Sequence, residues 1–353
     1  MFKKNWKEFF LALTTAILTV LFSLILIEIY YWDYSKECEI CRFNPQLGWE
    51  TIPDKTVSNK KITYTTNSMG MRSEKVSPSK GHILITGDSV AFGLGVNNDE
   101  TVSHYLEQDE RISKLEYQVL NMSVPGYGIG QYYLNLKRHV PKLNPKLIVV
   151  IIYTANDLED TRKDNHYGIS KPFFAYQKDN LTNLQPRISR FSCHNLHSRS
   201  TFVKYLIGTC QSRVIDRGFA SPTITKLMNE IRTLGVKRNI PTLVVLSPSL
   251  KAVEAVACEQ EKLSDTCHEH DSSFAVLYTY FYKIMEFNKI PHIDFLTTLL
   301  KYSKEGTIGS LFGNNGKDVH HYSPKGNYLL AQTIAKRLAT DFNLNNSEPF
   351  SLK

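Results

Sequence analysis

The alternation of apolar and polar positions divides this 353-residue chain into three regimes. An uncharged, mostly apolar run extends from Phe9 to Ile27, and a polar stretch punctuated by Pro45, Pro53 and Pro78 follows as far as Lys80. From Gly81 onward, short apolar runs alternate with segments of helical length. His82 to Thr86, Tyr117 to Leu120, Leu147 to Tyr153, Thr242 to Leu246 and His292 to Phe295 read as strands. Helices are predicted over Glu100 to Ile112, Gly130 to Val140, Pro222 to Val236, Ser273 to Phe287 and Pro324 to Asp341. The unbroken Leu-Ile-Val-Val-Ile-Ile of the third strand suits burial on both faces, as in a parallel sheet covered by helices. Strand and helix in repetition predict an α/β, doubly wound parallel sheet of about five strands.

The first regime is near the roughly 20 residues that a bilayer-spanning helix needs. Lys3, Lys4 and Lys7 precede it and Tyr30, Tyr31, Trp32 and Tyr34 follow it, a charge and aromatic order that puts the N-terminus in the cytoplasm. A cleaved leader has a shorter apolar core, about 7–15 residues, ending in small residues. Here Glu28, Ile29 and bulky aromatics follow instead, with no lipidation cysteine. The expected organisation is a cytoplasmic tail 1–8, a transmembrane signal anchor 9–31, a juxtamembrane arm 32–80, a main domain 81–343 and a C-terminal tail 344–353. The main domain would then be extracytoplasmic: periplasmic, extracellular or lumenal. Within the arm, the period-two stretch Lys61 to Thr66 predicts a β-hairpin, and Gly70 is the expected positive-φ residue of a turn.

Six cysteines suit an oxidising space and fall into local pairs, Cys38 with Cys41, Cys193 with Cys210 and Cys258 with Cys267. Spacing leaves the connectivity open, and Cys38-x-x-Cys41 also reads as a thiol pair or a metal half-site that no second C-x-x-C completes. The formal charge of +8 is dispersed along the chain, and there is no zinc-finger spacing, RNA-binding aromatic signature or concentrated basic helix. Nucleic acid is therefore not an expected partner. Residues 158–220 break the strand-helix rhythm. Their aromatics, Tyr167, Phe173, Phe174, Tyr176, Phe191 and Tyr205, predict a packed insertion that serves as a lid or substrate wall.

Chemistry-bearing residues gather where strands end. Gly87-Asp88-Ser89 follows the first strand, at the sheet edge where parallel α/β proteins bind ligands. Gly126 follows the second strand and Asn156 the third, offering a backbone N–H and a side-chain amide to an oxyanion. Asp318, His320 and His321 fall in a loop before the last helix, whose start is marked by Ser323-Pro324. A serine, a histidine and a carboxylate are the parts of an acyl-transfer site.

These blocks, in this order over Gly81 to Asp341, resemble the SGNH hydrolases, also called GDSL-type esterases and lipases. Gly87-Asp88-Ser89 matches the first block, Gly126 the second, Asn156 in Ala155-Asn156-Asp157 the third and Asp318-x-x-His321 the last. Thr154 stands where the family usually has glycine. The last block has a glycine five residues after its histidine, and Gly326 selects His321 over His320. The resemblance implies a flavodoxin-like sheet, a Ser89-His321-Asp318 triad, and an oxyanion hole from the N–H groups of Ser89 and Gly126 with the Asn156 amide. It implies no metal or cofactor. An esterase acting on an ester-containing small molecule, glycan or lipid is the leading expectation. An O-acyltransferase that relies on a separate multi-spanning donor partner is the second, and a non-catalytic binding module the third.

Overall fold

The structure is a computed structural model and describes residues 3–31, 38–59, 62–166, 168–194, 200, 210–214, 222–260 and 273–341. Trp32, Tyr34, Lys61, Tyr167, Tyr205, Cys267 and the tail 344–353 lie outside the described residues. The first helix, α1 (Lys3–Tyr31), begins ahead of the apolar run that predicts it. Its stretch Asn5–Leu26 is long and apolar enough to cross a membrane, and none of that stretch is buried against the rest of the protein. The hydroxyls of Thr14, Thr15, Thr19 and Ser23 each donate to the carbonyl four residues back, so these polar groups are satisfied inside the helix.

Five parallel strands form the centre of the main domain: β1 (Gly81–Thr86), β2 (Tyr117–Asn121), β3 (Leu147–Tyr153), β4 (Thr242–Ser247) and β5 (His292–Asp294). Their spatial order is β5-β4-β3-β1-β2, the flavodoxin-like arrangement. The pairings Ile85↔Asn121, Thr86↔Val150 and Ser247↔Tyr153 bring the C-terminal ends of the strands to one edge. Every residue of β3 is buried, which accounts for its uninterrupted aliphatic sequence.

Helices cover both faces. Those that follow the first three strands are α2 (Ser89–Phe92), α3 (Val102–Gln108), α4 (Ile129–Leu143) and α5 (Asp157–Arg162). The rest are α6 (Pro222–Val236), α7 (Leu250–Gln260), α8 (Ser273–Phe287), α9 (Phe295–Lys304) and α10 (Pro324–Asp341). β2 and β3 flank β1 on opposite sides, so right-handed crossovers carry α3 and α4 to opposite faces of the sheet. There α3 packs on α10, and α4 packs on α6.

Three predicted boundaries change. The helix expected from Glu100 to Ile112 breaks at Asp109, whose carboxylate accepts the N–H of Arg111 and starts a separate turn, Glu110–Ser113. The fifth strand stops at Asp294, because that side chain caps α9 and commits Phe295 to the helix. The helix expected to end at Val140 continues through Pro141 to Leu143; the carbonyl that Pro141 leaves without a donor belongs to solvent-exposed Lys137. The insertion holds two small hairpins, with Phe173 and Phe174 buried, but Phe191 is 79% exposed and does not pack as its aromatic character suggested. Cys38 is bonded to Cys41 and Cys193 to Cys210. Cys258 is also disulfide-bonded, and its expected partner Cys267 is not among the described residues.

The arm is built into the main domain rather than hung from it. Thr56–Asn59 pairs with Ile62–Thr65, and Cys41–Asn44 pairs with Gly48–Thr51. Gly70 has φ +77, and a Cβ there would meet the Thr51 carbonyl at 2.9 Å. Arg72, 3% exposed, reaches over to the segment that follows β1. Its Nη1 donates to the carbonyls of Phe92 and Gly93 (3.0 and 2.5 Å), its Nη2 to that of Val96 (2.6 Å) and its Nε to Asn98 Oδ1 (2.9 Å). The guanidinium lies 4.7 Å from the centre of the Tyr64 ring and 4.8 Å from that of Phe92. Burial lowers its pKa to about 10, so it stays charged at neutral pH. Arg72→Ala would leave several buried carbonyls without donors, and we expect it to cost about 3 kcal/mol of stability by chemical denaturation. Arg72→Lys should restore little, since a point ammonium cannot span the same carbonyls and stack between two rings.

Candidate active site

Ser89 is the first residue of α2, directly beyond the C-terminal end of β1. The preceding Asp88 caps this short helix through Oδ1, which accepts the Val90 N–H at 2.9 Å. Gly87 is required by close packing: a Cβ there would lie 2.4 Å from Ala91 Cβ and 2.7 Å from the Ile151 carbonyl oxygen. Gly93, in the left-handed region at φ 84, closes the helix under Arg72.

Asp318 to His321 was expected in a loop, but these residues form a strand, β7 (Asp318–Tyr322), antiparallel to β6 (Phe312–Gly313) with a register shift. Asp318 itself sets this local shape. Its Oδ1 accepts the backbone N–H groups of His320 and His321 at 3.0 and 3.1 Å, and its Oδ2 accepts His321 Nδ1 at 2.9 Å. On the other side of the ring, His321 Nε2 lies 3.0 Å from Ser89 Oγ. With Nδ1 donating to the carboxylate, Nε2 is the unprotonated nitrogen and accepts from the serine hydroxyl. Burial raises the Asp318 pKa, but the bond to His321, its charge and the two backbone donors outweigh this and hold it at about 2. The carboxylate is therefore ionised throughout the working range. Gly326 also has a steric reason, since a Cβ there would fall 2.1 Å from the Leu311 carbonyl oxygen and push α10 off the site strand.

The two loops expected to hold an oxyanion adjoin the serine. The Val124 N–H donates to the Gly87 carbonyl at 3.2 Å, which lays the β2 loop along the turn before Ser89. Gly126 has φ +76, and a Cβ would press on His166 at 2.9 Å. Among the described residues, neither the Ser89 N–H nor the Gly126 N–H donates to a backbone acceptor. Asn156 stands at the start of α5, its side chain close enough to Asp88 to lower that carboxyl slightly, although Asp88 Oδ2 and Asn156 Oδ1 both lack a partner of hydrogen-bond geometry. Thr154, where a glycine was expected, is fully buried without a positive φ; its N–H donates to the Ser247 carbonyl at 3.0 Å and its hydroxyl to the same oxygen at 3.4 Å.

Residue patterns did not reveal the groups that support this site. Trp49, in the polar arm, donates from Nε1 to the Pro125 carbonyl at 2.9 Å, while Tyr127 Oη donates to the Trp49 carbonyl at 2.6 Å. His166, from the insertion, bonds Asp160 through Nδ1 at 2.7 Å and lies against Trp49. The available signal was a lone tryptophan in a polar segment, but its partner is 76 residues away in sequence. The cavity of about 760 Å³ beside the arm, lined by Arg72, Asn98 and Glu107 among others, includes none of the triad residues, which sit in the crevice at the strand ends.

No family model and no curated protein matches the chain. Solved structures similar to it include an acetyl xylan esterase, AlAXEase, 15% identical, covering 73% of this chain and 99% of that one, TM-score 0.43. The psychrotrophic esterase EstA from Pseudoalteromonas sp. is 12% identical and covers 76% of this chain and all (100%) of its own, TM-score 0.40. A lipase/acylhydrolase from Enterococcus faecalis is 12% identical and covers 77% of this chain and 99% of its own, TM-score 0.41.

Burial raises the fully enclosed Asp88 from 3.8 to about 6, with the Val90 N–H and His321 offsetting only part of the cost of burying its charge. A carboxyl raised in the folded state is destabilising as pH climbs through its folded pKa and neutral in effect below its unfolded one. Asp88→Asn keeps the cap and removes the charge. We expect it to stabilise the protein by on the order of 2–3 kcal/mol at pH 8 and by little at pH 4, in paired thermal melts.

Proposed function

We propose that the chain is a membrane-anchored serine esterase of the SGNH type. The observation that carries this reading is the continuous hydrogen-bonded line from Asp318 Oδ2 through His321 to Ser89 Oγ, with links of 2.9 and 3.0 Å. A structural role needs no such line, since β7 is already held by the Asp318 Oδ1 bonds and by its pairing with Phe312.

In the proposed reaction, Ser89 Oγ attacks the ester carbonyl as His321 Nε2 removes its proton. The tetrahedral oxyanion accepts from the N–H groups of Ser89 and Gly126 and from the Asn156 amide, each such donor being worth about 100- to 1,000-fold in rate. His321 then gives its proton to the departing alcohol oxygen, leaving an acyl group on Ser89. Water, deprotonated by the same imidazole, releases the acid and restores the serine. Asp318 remains ionised and holds the imidazolium that forms in each half-reaction.

The anchor helix and its flanking lysines support a cytoplasmic N-terminus and an extracytoplasmic catalytic domain. Three disulfide-bonded segments fit an oxidising compartment.

A fluorophosphonate probe should label the full-length protein in detergent and fail to label Ser89→Ala; labelling that survives this change would remove Ser89 as nucleophile. Asp318→Asn should lower kcat/KM for a short aryl ester by about 1,000- to 10,000-fold, because the imidazole loses its fixed tautomer and its counter-charge. Protease given access to the extracytoplasmic face of membranes of known orientation should cut the main domain, and protection there with cutting only from the cytoplasmic side would reverse the orientation.

A further inference from the structure

The second histidine of the pair, His320, has no place in the triad, yet its ring is held in a defined way. Tyr153, 2% exposed at the end of β3, brings its Oη to 2.7 Å from His320 Nδ1, with the two rings edge to face at 86°. Burial, with the nearby Asp88 charge adding to it, pushes the Tyr153 hydroxyl far above its ordinary range, so it keeps its proton and has one to donate to His320 Nδ1. Burial also lowers the His320 pKa, reinforced by His321 and Lys251, which keeps the imidazole neutral. A neutral imidazole that accepts at Nδ1 carries its hydrogen on Nε2. With Tyr153 donating, His320 presents an Nε2–H on an exposed residue, with its ring centre 6.4 Å from that of His321.

The reaction geometry says which part of a substrate meets this donor. The leaving oxygen must lie within reach of His321 Nε2 to receive its proton, whereas the carbonyl oxygen turns toward Gly126 and Asn156. Residues beside His321 therefore border the alcohol portion of the ester. A simple aliphatic alcohol or an unsubstituted phenol has no oxygen to offer this donor beyond its ester oxygen.

We propose, building on the triad reading above, that the His320 Nε2–H binds an acceptor oxygen on the alcohol side of the substrate and so selects esters of hydroxylated, sugar-like alcohols. The test compares kcat/KM for glucose pentaacetate with that for phenyl acetate, using the full-length protein in detergent. His320→Phe keeps the ring and removes the donor; the ratio of sugar ester to aryl ester should fall about fivefold to tenfold, through KM for the sugar ester, as expected for one lost hydrogen bond. His320→Gln, which retains an N–H donor, should recover most of that ratio. Tyr153→Phe frees the tautomer and should lower the ratio about threefold, and it carries the test if His320→Phe does not accumulate. An unchanged ratio in a variant that still takes the fluorophosphonate label overturns the role of His320. Absence of label on Ser89 in the wild-type protein overturns the triad reading, and this inference with it.

Discussion

The reversal of strand order at β1 is the constraint from which the site follows. β2 pairs on one side of β1 and β3 on the other, so the chain leaves the ends of these strands toward opposite faces and opens a crevice between them. Ser89 lies at that point, with the Gly126 loop on one side and Asn156 on the other. The sheet can be specified this strictly because its interior is a continuous aliphatic layer. Ile83, Leu84, Ile85, Ile148, Val149, Val150, Leu243 and Val244 are at most 0% exposed, and a slip in register would bring these residues out of line with the helices that cover them.

Preorganisation at the crevice comes from segments distant in sequence. Arg72 binds carbonyls at the end of the helix that begins with Ser89, and Trp49 binds the loop that presents Gly126. Both belong to the polar juxtamembrane arm. An acyl-transfer site needs its donors held within a fraction of an ångström, and the arm supplies that support to two of the three loops. The third loop is held by Asp157, whose carboxylate accepts from Tyr132 Oη at 2.7 Å and from the Tyr153 N–H at 3.0 Å. Tyr153 thus connects the loop that holds Asn156 with His320.

Charge is distributed unevenly around the serine. Asp318, partly solvated and bonded by three N–H groups, is pulled down to about 2, while Asp88, fully enclosed beside the nucleophile, is pushed up to about 6. The two carboxyls thus differ in how readily they ionise, because one has donors and the other has burial. Asp318 holds the His321 ring through Nδ1. Asp88 spends part of its oxygen capacity on a helix cap and leaves Oδ2 without a partner.

The order of apolar runs was sufficient, without coordinates, to specify a parallel sheet of five strands and most of its helices, because burial on both faces demands unbroken aliphatic sequence. The spacing from Asp318 to His321 to Gly326 was likewise readable, and it is His321, not His320, whose Nε2 lies 3.0 Å from Ser89 Oγ. The helix break at Asp109 and the strand end at Asp294 were not, since a capping carboxylate outweighs local propensity only once its geometry is known. Nor could the clamps made by Arg72 and Trp49 or the contact of His320 with Tyr153 be read from the chain. Each depends on an atom contributed by a residue remote in sequence, so only the folded arrangement of Tyr153 with His320, and of Arg72 with Gly93, decides what those side chains do.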